Sequence, residues 1–118
     1  MKRYTICLLL LSVMIVGNAD AQALTIYTEE FPPFNFTEKG KITGVSTEIV
    51  RHVMAGTGIQ YRIKSLPWKE TYQRAQEEPN SLIFSISRNK SHDKLFKWIG
   101  TIVPTSYFVM ALKSRKDI

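Results

Sequence analysis

The sequence predicts an α/β fold with a largely parallel β-sheet, and two observations support this prediction. The first is that segments typical of strands and helices follow one another in the order strand, helix, strand, helix, strand, which favours a parallel layer with right-handed crossovers. The second is the length of the chain, 118 residues, which is enough for one small domain. Its first residues do not fit that domain, because their composition is that of an export signal.

The predicted signal peptide covers residues 1–21. Lys2 and Arg3 give a positive start, and residues 6–16 are apolar except for one serine. An uncleaved membrane anchor is the alternative, but the apolar run has only about half of the roughly 20 residues that a spanning helix needs. We therefore expect an exported, periplasmic protein.

Cleavage after Ala21 or Ala23 would also remove Cys7, the one cysteine of the sequence. The expected domain, residues 22–118, would then have no disulfide and no cysteine ligand for a metal. The sequence carries a net charge of +6. No basic run is long enough to indicate a nucleic-acid partner, so we interpret this charge as favouring solubility or attraction to anionic surfaces.

The first strand is predicted at residues 24–28, where apolar and polar side chains alternate. Residues 29–41, with two consecutive prolines and a polar turn, predict a loop. A helix is then predicted from an N-cap at Ser46, and Gly56 and Gly58 are expected to end it. The apolar stripe expected to face the core consists of Val45, Ile49, Val50, Val53 and Met54.

The second half of the chain repeats this order. Residues 59–64 alternate and predict a strand, and Pro67 suits the first turn of a second helix. Residues 82–86 form an apolar run typical of a strand covered on both faces. Residues 96–99 and 107–112 are two further strand candidates. One face of the second helix is expected to hold Trp68, Thr71, Tyr72 and Ala75.

The sequence contains no pattern that indicates catalysis. His52 and His92 are too few and too far apart for a convincing metal site. There is no glycine-rich phosphate loop and no nucleophile elbow. The pairs Glu29-Glu30 and Glu77-Glu78 are sequence neighbours, whose side chains point in different directions. We therefore expect a protein that is not an enzyme and holds no metal or other cofactor.

Several aromatic side chains fall beyond the predicted carboxyl ends of the strands, where parallel sheets bind ligands. Phe31 lies in the first such loop, Trp68 begins the second helix, and residues 85–92 follow the third strand. Aromatic side chains at such positions can form the apolar walls of a pocket for a small molecule. For Phe31 and Trp68, a pocket wall and a place in the core are both open. We interpret Phe34, Phe36 and Trp98 as core residues.

A family resemblance rests on landmarks in a fixed order. The segment Phe31-Pro32-Pro33-Phe34-Asn35-Phe36, followed by Gly40 and Gly44, resembles the opening of family 3 extracytoplasmic solute-binding proteins. Later landmarks are Pro67-Trp68-Lys69, Ser85-Ile86-Ser87-Arg88 and Phe96-Lys97-Trp98-Ile99-Gly100. The resemblance extends from about Leu24 to Lys113.

This resemblance implies the first lobe of a two-lobed clamshell that captures a small polar solute, often an amino acid. It also implies a partner, the membrane permease of an ABC-type transporter. By position, Phe31 matches the aromatic side chain that stacks on the ligand, and Trp68 falls near a second wall. Ser85 and Ser87 match residues that hydrogen-bond the ligand, and such bonds are strongest to a carboxylate.

The sequence departs from the family pattern at the residue that clamps the ligand carboxylate. The position that is usually arginine aligns with His92, and an imidazole cannot form a bidentate fork. Either Arg88 or Lys90 replaces the clamp, or the ligand is not a free α-amino acid.

The length of the chain is the second departure. Two lobes need roughly twice this length, so the resemblance covers only an incomplete first lobe. Two alternatives therefore stay open. One is an exported half-lobe or remnant that binds a partner protein and no solute. The other is the amino-terminal lobe of a fused peptidoglycan-cleaving enzyme.

Overall fold

The structure, a computed structural model, describes residues 23–104, 106 and 108–116. Their elements are, in chain order, β1 (Leu24–Thr28), β2 (Phe36–Glu38), β3 (Lys41–Thr43), α1 (Val45–Ala55), β4 (Tyr61–Ser65), α2 (Trp68–Glu77) and β5 (Ser81–Ile83). The predicted signal peptide over residues 1–21 lies outside the described residues.

A three-stranded parallel sheet has the order β4-β1-β5. Leu24 lies opposite Tyr61, and Thr25 lies opposite Ser81. The prediction of an α/β fold with a parallel sheet is therefore confirmed. Because all three strands run in one direction, the segments that follow Thr28, Ser65 and Ile83 leave from the same edge of the sheet. We call this edge the carboxyl edge.

The core is small and centres on β1. Ile26 and Tyr27 are fully buried in the middle of the sheet, and Met54 and Phe84 close over it. Several partly buried apolar residues pack against this cluster; they are Leu24, Val50, Tyr61, Ile63, Leu82 and Ile102. The stretch predicted as a strand at residues 82–86 is shorter in the structure, because β5 ends at Ile83.

The prediction of a loop at residues 29–41 is wrong at its carboxyl-terminal end. β2 and β3 form an antiparallel hairpin in which Phe36 lies opposite Thr43. Lys39 and Gly40, the turn residues, both have positive φ angles, which is the geometry that matches the twist of a two-residue hairpin. The strands of this hairpin are only three residues long and mostly exposed, so they carry little of the alternation that identifies a strand.

The first helix begins two residues earlier than an N-cap at Ser46 predicts, and Ser46 is not its N-cap. Gly44 occupies the cap position without any side-chain cap hydrogen bond. Instead, the backbone N–H of Ser46 donates to the carbonyl of Phe34 at 2.8 Å, and the N–H of Val45 donates to that of Pro33 at 3.3 Å. Carbonyls from a distant loop therefore satisfy groups that a capping side chain usually satisfies.

The predicted core stripe of α1 is wrong for three of its five residues, since Met54 is buried in the core and Val50 packs against it. Val45, Ile49 and Val53 are 53%, 38% and 56% exposed. The buried residues of the helix are Ser46, Thr47 and Met54. The contacts between the loop and the amino end of α1 rotate the polar residues inward.

The second helix agrees with its prediction. It begins at Trp68, directly after Pro67, and its buried residue Thr71 donates to the carbonyls of Thr28 at 2.9 Å and Leu66 at 3.1 Å. These two bonds attach α2 to the carboxyl end of β1. Farther along, residues 96–99 and 108–112 form no strand, so both predictions there are wrong.

Candidate functional site

The first part of the candidate site is a tight turn that follows β1. The N–H of Phe31 donates to the carbonyl of Asn35 at 2.6 Å, and the N–H groups of Phe34 and Asn35 donate to the carbonyl of Phe31. The rings of Phe31 and Phe34 stack with centroids 5.4 Å apart. Phe31 remains 52% exposed. The turn therefore holds a solvent-accessible aromatic ring in a fixed place at the carboxyl edge.

Asn35 joins this turn to the segment after β5. Its side chain is fully buried, and its amide nitrogen donates to the carbonyl of Glu29 at 2.6 Å. The hydroxyl of Ser85 donates to the Asn35 side-chain oxygen at 2.5 Å. The structure thus places Ser85 against the turn that contains Phe31 and commits its hydroxyl proton to Asn35. Contact between Ser85 and a ligand stays a prediction.

An open cleft of about 300 Å³ lies along the carboxyl ends of β1 and β4. Its walls are Glu29, Glu30, Ser65, Leu66, Pro67 and Trp68. The half-buried Trp68 has a double role, because its ring also packs against that of Tyr72 with centroids 5.6 Å apart. Trp68 therefore lines the cleft and packs on its own helix, but it is not part of the core cluster. Its role as a wall for a ligand stays a prediction.

Hydrogen bonds fix the carboxylate of Glu30 at the mouth of this cleft. The hydroxyl of Ser65 donates to Oε1 at 2.5 Å, the hydroxyl of Thr37 donates to the same oxygen at 2.7 Å, and the N–H of Thr37 donates to Oε2 at 2.8 Å. Because these bonds favour the ionised form, they hold the pKa of Glu30 below its ordinary value. The pKa of Glu29 is raised instead, because partial burial disfavours its charge.

The segment after β5 packs on α2 through aromatic rings. Tyr72 lies at the centre, with ring centroids 5.4 Å from His92 and 5.7 Å from Phe96. The Nδ1 atom of His92 lies 2.8 Å from the carbonyl of Ser87. His92 therefore packs within its own loop and against α2. Its assignment to the clamp position, and that of Ser87 to the ligand, stay predictions.

Arg88 is engaged within the same segment. Its Nε donates to Asp93 Oδ1 at 2.6 Å, and its guanidinium lies 5.4 Å from the ring centroid of Trp98. A substitute for the missing clamp would have to leave these partners before it could grip a ligand carboxylate. A ligand-binding role for Arg88 also stays a prediction.

Sequence reasoning missed Glu30, Asn35 and Tyr72 as residues that build this edge. The adjacent pair Glu29-Glu30 gave no signal of its own, because the partners of Glu30 come from β2 and β4. Among the described residues, no group of three or more His, Cys, Asp or Glu is placed to hold a metal. No described helix has the length and apolar character required to cross a bilayer.

Comparison with known proteins identifies one family. The family model of bacterial extracellular solute-binding proteins, family 3, matches residues 24–117, which include every described element. A search of curated proteins finds no match.

Proposed function

Because the chain belongs to family 3 of the bacterial extracellular solute-binding proteins, we propose that it captures a small polar solute, such as an amino acid, for an ABC-type permease. The observation that carries this proposal is the position of Phe31 and Trp68 at the carboxyl edge of a parallel sheet. Ligands bind at this edge in α/β proteins, between apolar walls and a few oriented polar groups.

The exposed ring of Phe31 supports a role in stacking on the solute. Leaving a large aromatic side chain in water forgoes the stabilisation that its burial would provide. Here the backbone hydrogen bonds of the turn between Phe31 and Asn35 fix the main chain, and the ring of Phe31 stacks on that of Phe34. A wall held in this way loses little conformational freedom when the solute binds.

We propose that residues 24–117 form one side of the binding site and that a second lobe closes over the solute. Closure of this kind excludes water and strengthens the polar contacts to the ligand. The proposal includes a periplasmic location, reached through the predicted signal peptide over residues 1–21. It assigns no catalytic role.

The exposed stripe of Val45, Ile49 and Val53 favours a second candidate function, in which this lobe binds a partner protein. The two candidates differ in the surface they use, since the stripe lies on α1 and the proposed solute site lies at the carboxyl edge. Solute binding that depends on the carboxyl edge would favour the first candidate.

The test is calorimetric titration of the purified protein with a panel of amino acids. We expect Phe31→Ala and Trp68→Ala each to weaken the binding of the best ligand by about tenfold, since each removes an aromatic wall. The control is Ile59→Ala, a comparably exposed apolar residue (53%) just before the opposite end of β4. Unchanged affinity in both the Phe31 and the Trp68 variant would exclude the proposed walls.

A further inference from the structure

The outer edge of β5 is open to a further strand. On the side of β1, the carbonyl of Asn80 accepts a hydrogen bond at 3.0 Å and the N–H of Phe84 donates one at 3.2 Å. Successive residues of a strand direct their backbone groups to alternate sides, so those of Ser81 and Ile83 point away from β1. No strand among the described residues pairs with that side. The N–H and carbonyl groups of both residues are therefore placed to bond with a further strand.

The side chains of β5 are incompletely covered as well. All three are half-buried, whereas four of the five in β1 are buried. Leu82 packs against the core cluster, but part of its surface remains in water. A further strand at this edge would remove apolar surface from water, and each Å² buried in this way stabilises by about 25 cal/mol.

Residues 108–112, which we call the donor segment, have the matching properties. Their sequence is Phe-Val-Met-Ala-Leu, an apolar run typical of a strand, yet they belong to no strand in the structure. Phe108, Val109, Met110 and Leu112 are 80%, 104%, 88% and 74% exposed. A continuous apolar surface of this kind is typical of a site where proteins associate.

A second copy of the chain is the partner that offers both surfaces at once. Ile102 packs against the core cluster that contains Phe84, and the donor segment begins within about 20 Å of chain after that contact. Two copies related by a twofold axis can each give their donor segment to the other's β5. Such an exchange uses both open edges and both donor segments, so it closes on itself.

Charge favours antiparallel pairing between the donor segment and β5. An antiparallel donor segment runs from the carboxyl end of β5 to its amino end, which brings Lys113 and Lys116 next to the residues that precede β5. Those residues include Glu77 and Glu78, at the end of α2. Glu77 is exposed, and its hydrogen bonds are with the neutral side chain of Gln73. Parallel pairing would carry the two lysines to the opposite end of the strand.

We propose that the outer edge of β5 is a docking surface for a second copy of this chain, whose donor segment adds to it as an antiparallel strand. The exchange is reciprocal and gives a twofold-symmetric dimer, in which each sheet has the order β4-β1-β5-donor. The proposal does not depend on solute binding, because neither Phe31 nor Trp68 takes part in the contact.

The first test measures the mass of the purified protein by sedimentation equilibrium between about 1 μM and about 1 mM, a range that covers weak and moderately tight dimers. We expect the mass to rise from one chain to two and to stop there, because a twofold exchange is closed. The mass of a single chain at every concentration would overturn the proposal, and it is also the result expected if the donor segment folds onto its own β5. Growth beyond two chains would overturn it as well.

The second test places the same charge on two exposed apolar residues. Met110→Asp lies in the donor segment, and we expect it to weaken the dimer at least about tenfold, because a carboxylate loses hydration on entering an apolar contact. Val53→Asp is the matched control on the exposed face of α1 and should leave the dimer unchanged. An equal effect of both variants, or no effect of Met110→Asp, would show that the dimer uses another surface.

Amide hydrogen exchange on the unmodified protein tests the strand pairing itself. The N–H groups of Ser81 and Ile83 should exchange at least about tenfold more slowly in the dimer than in dilute protein, since pairing protects them. The N–H of Leu82, which faces β1, is the internal control and should be protected at both concentrations. A dimer without added protection at Ser81 and Ile83 would contradict the proposal.

Charge reversal tests the orientation of the donor segment. Lys113→Glu combined with Lys116→Glu should weaken the dimer about fivefold at low ionic strength. Adding Glu77→Lys to this variant should restore the affinity, because opposite charges then face each other again. The matched control is Glu38→Lys, a change at an exposed carboxylate of β2 that should restore nothing. Equal restoration by both changes, or by neither, would refute antiparallel pairing.

Discussion

At the scale of single residues, Gly44 lies where the loop that contains Phe34 contacts the amino end of α1, and no residue with a Cβ fits there without strain. Its φ angle is 111°, and a Cβ added there would lie 2.4 Å from the carbonyl oxygen of Phe34. That oxygen accepts the N–H of Ser46, so it cannot move away without breaking the amino end of the helix. The glycine therefore permits the contact that fixes both the turn around Phe31 and the orientation of α1.

We expect Gly44→Ala to lower the free energy of unfolding by about 3 kcal/mol or more, because backbone strain and overlap act together. The control is Gly58→Ala, where φ is also positive but a Cβ would meet nothing within 4 Å. That change should cost only about 1–2 kcal/mol, the penalty for left-handed backbone. Urea denaturation of both variants measures the difference, and equal losses would contradict the argument.

Asn35 is a second single residue whose structural role could not be predicted from the sequence. An asparagine in a proline-rich stretch is typical of an exposed turn, yet this one is fully buried. Its partners, the carbonyl of Glu29 and the hydroxyl of Ser85, are six and fifty positions away. The aromatic residues of the site were predictable from their position at strand ends, whereas this polar link depends on tertiary contacts.

At the scale of elements, α1 shows that a sequence can predict where a helix lies without predicting which of its faces is buried. The spacing of its apolar residues and the predicted cap located the helix to within two residues at its start. The same spacing also placed Val45, Ile49 and Val53 on the buried face, and these three are exposed. The carbonyls of Pro33 and Phe34 bind the amino end of the helix and set its rotation. Periodicity contains no information about such a contact from another segment.

Two neighbouring positions on α1 test the observed orientation. Met54 is buried against Ile26 and Phe84, so Met54→Ala should cost about 2 kcal/mol or more through lost contacts and a cavity. Val53→Ala should change the free energy of unfolding by no more than about 0.5 kcal/mol, since Val53 is exposed. Thermal or chemical denaturation compares the two, and equal losses in both variants would support the stripe predicted from sequence, which contains both residues.

The link between β1 and α2 predicts how stability depends on pH. The hydroxyl of Tyr27 donates to Glu78 Oε2, and Arg74 pairs with Glu78 at 2.7 Å. The bond from Tyr27, followed by that from Arg74, lowers the pKa of Glu78 below the usual 4.5. A lowered pKa in the folded state gives stability that is present above the unfolded pKa and is lost as the pH falls through the folded pKa.

We therefore expect the stability difference between the wild-type protein and Glu78→Gln to be largest near pH 7 and to shrink as the pH falls below about 4.5. Denaturation at a series of pH values measures it, and taking the difference cancels the contributions of Glu29 and Glu30. Glu77→Gln, which removes a neighbouring exposed carboxylate whose partner is Gln73, serves as the control for the loss of one negative charge. A stability difference between the wild-type protein and Glu78→Gln that stays constant across this pH range would contradict the prediction.

At the scale of the whole molecule, the order of elements was the most predictable property. The three strands of the parallel sheet and both helices were recognised from alternation, helical spacing and the residues that end them. The β2–β3 hairpin was missed because its strands are short and exposed. The candidate site was predictable as a place, the carboxyl edge, but its charge was not. That charge depends on bringing residues 29–30 and 65–68 together.

The position of β1 in the sheet also affects when its hydrogen bonds can form during protein synthesis. β1 is the central strand of the sheet, but it is the first described element that the ribosome makes. Its neighbours begin at Tyr61 and Ser81, so at ordinary rates of synthesis β1 waits for seconds before either can pair with it. Throughout that interval both of its edges, and the side chains of Ile26 and Tyr27, are open to association with other chains. The segment that ends up best protected in the folded protein is therefore the one longest at risk while the protein is being made.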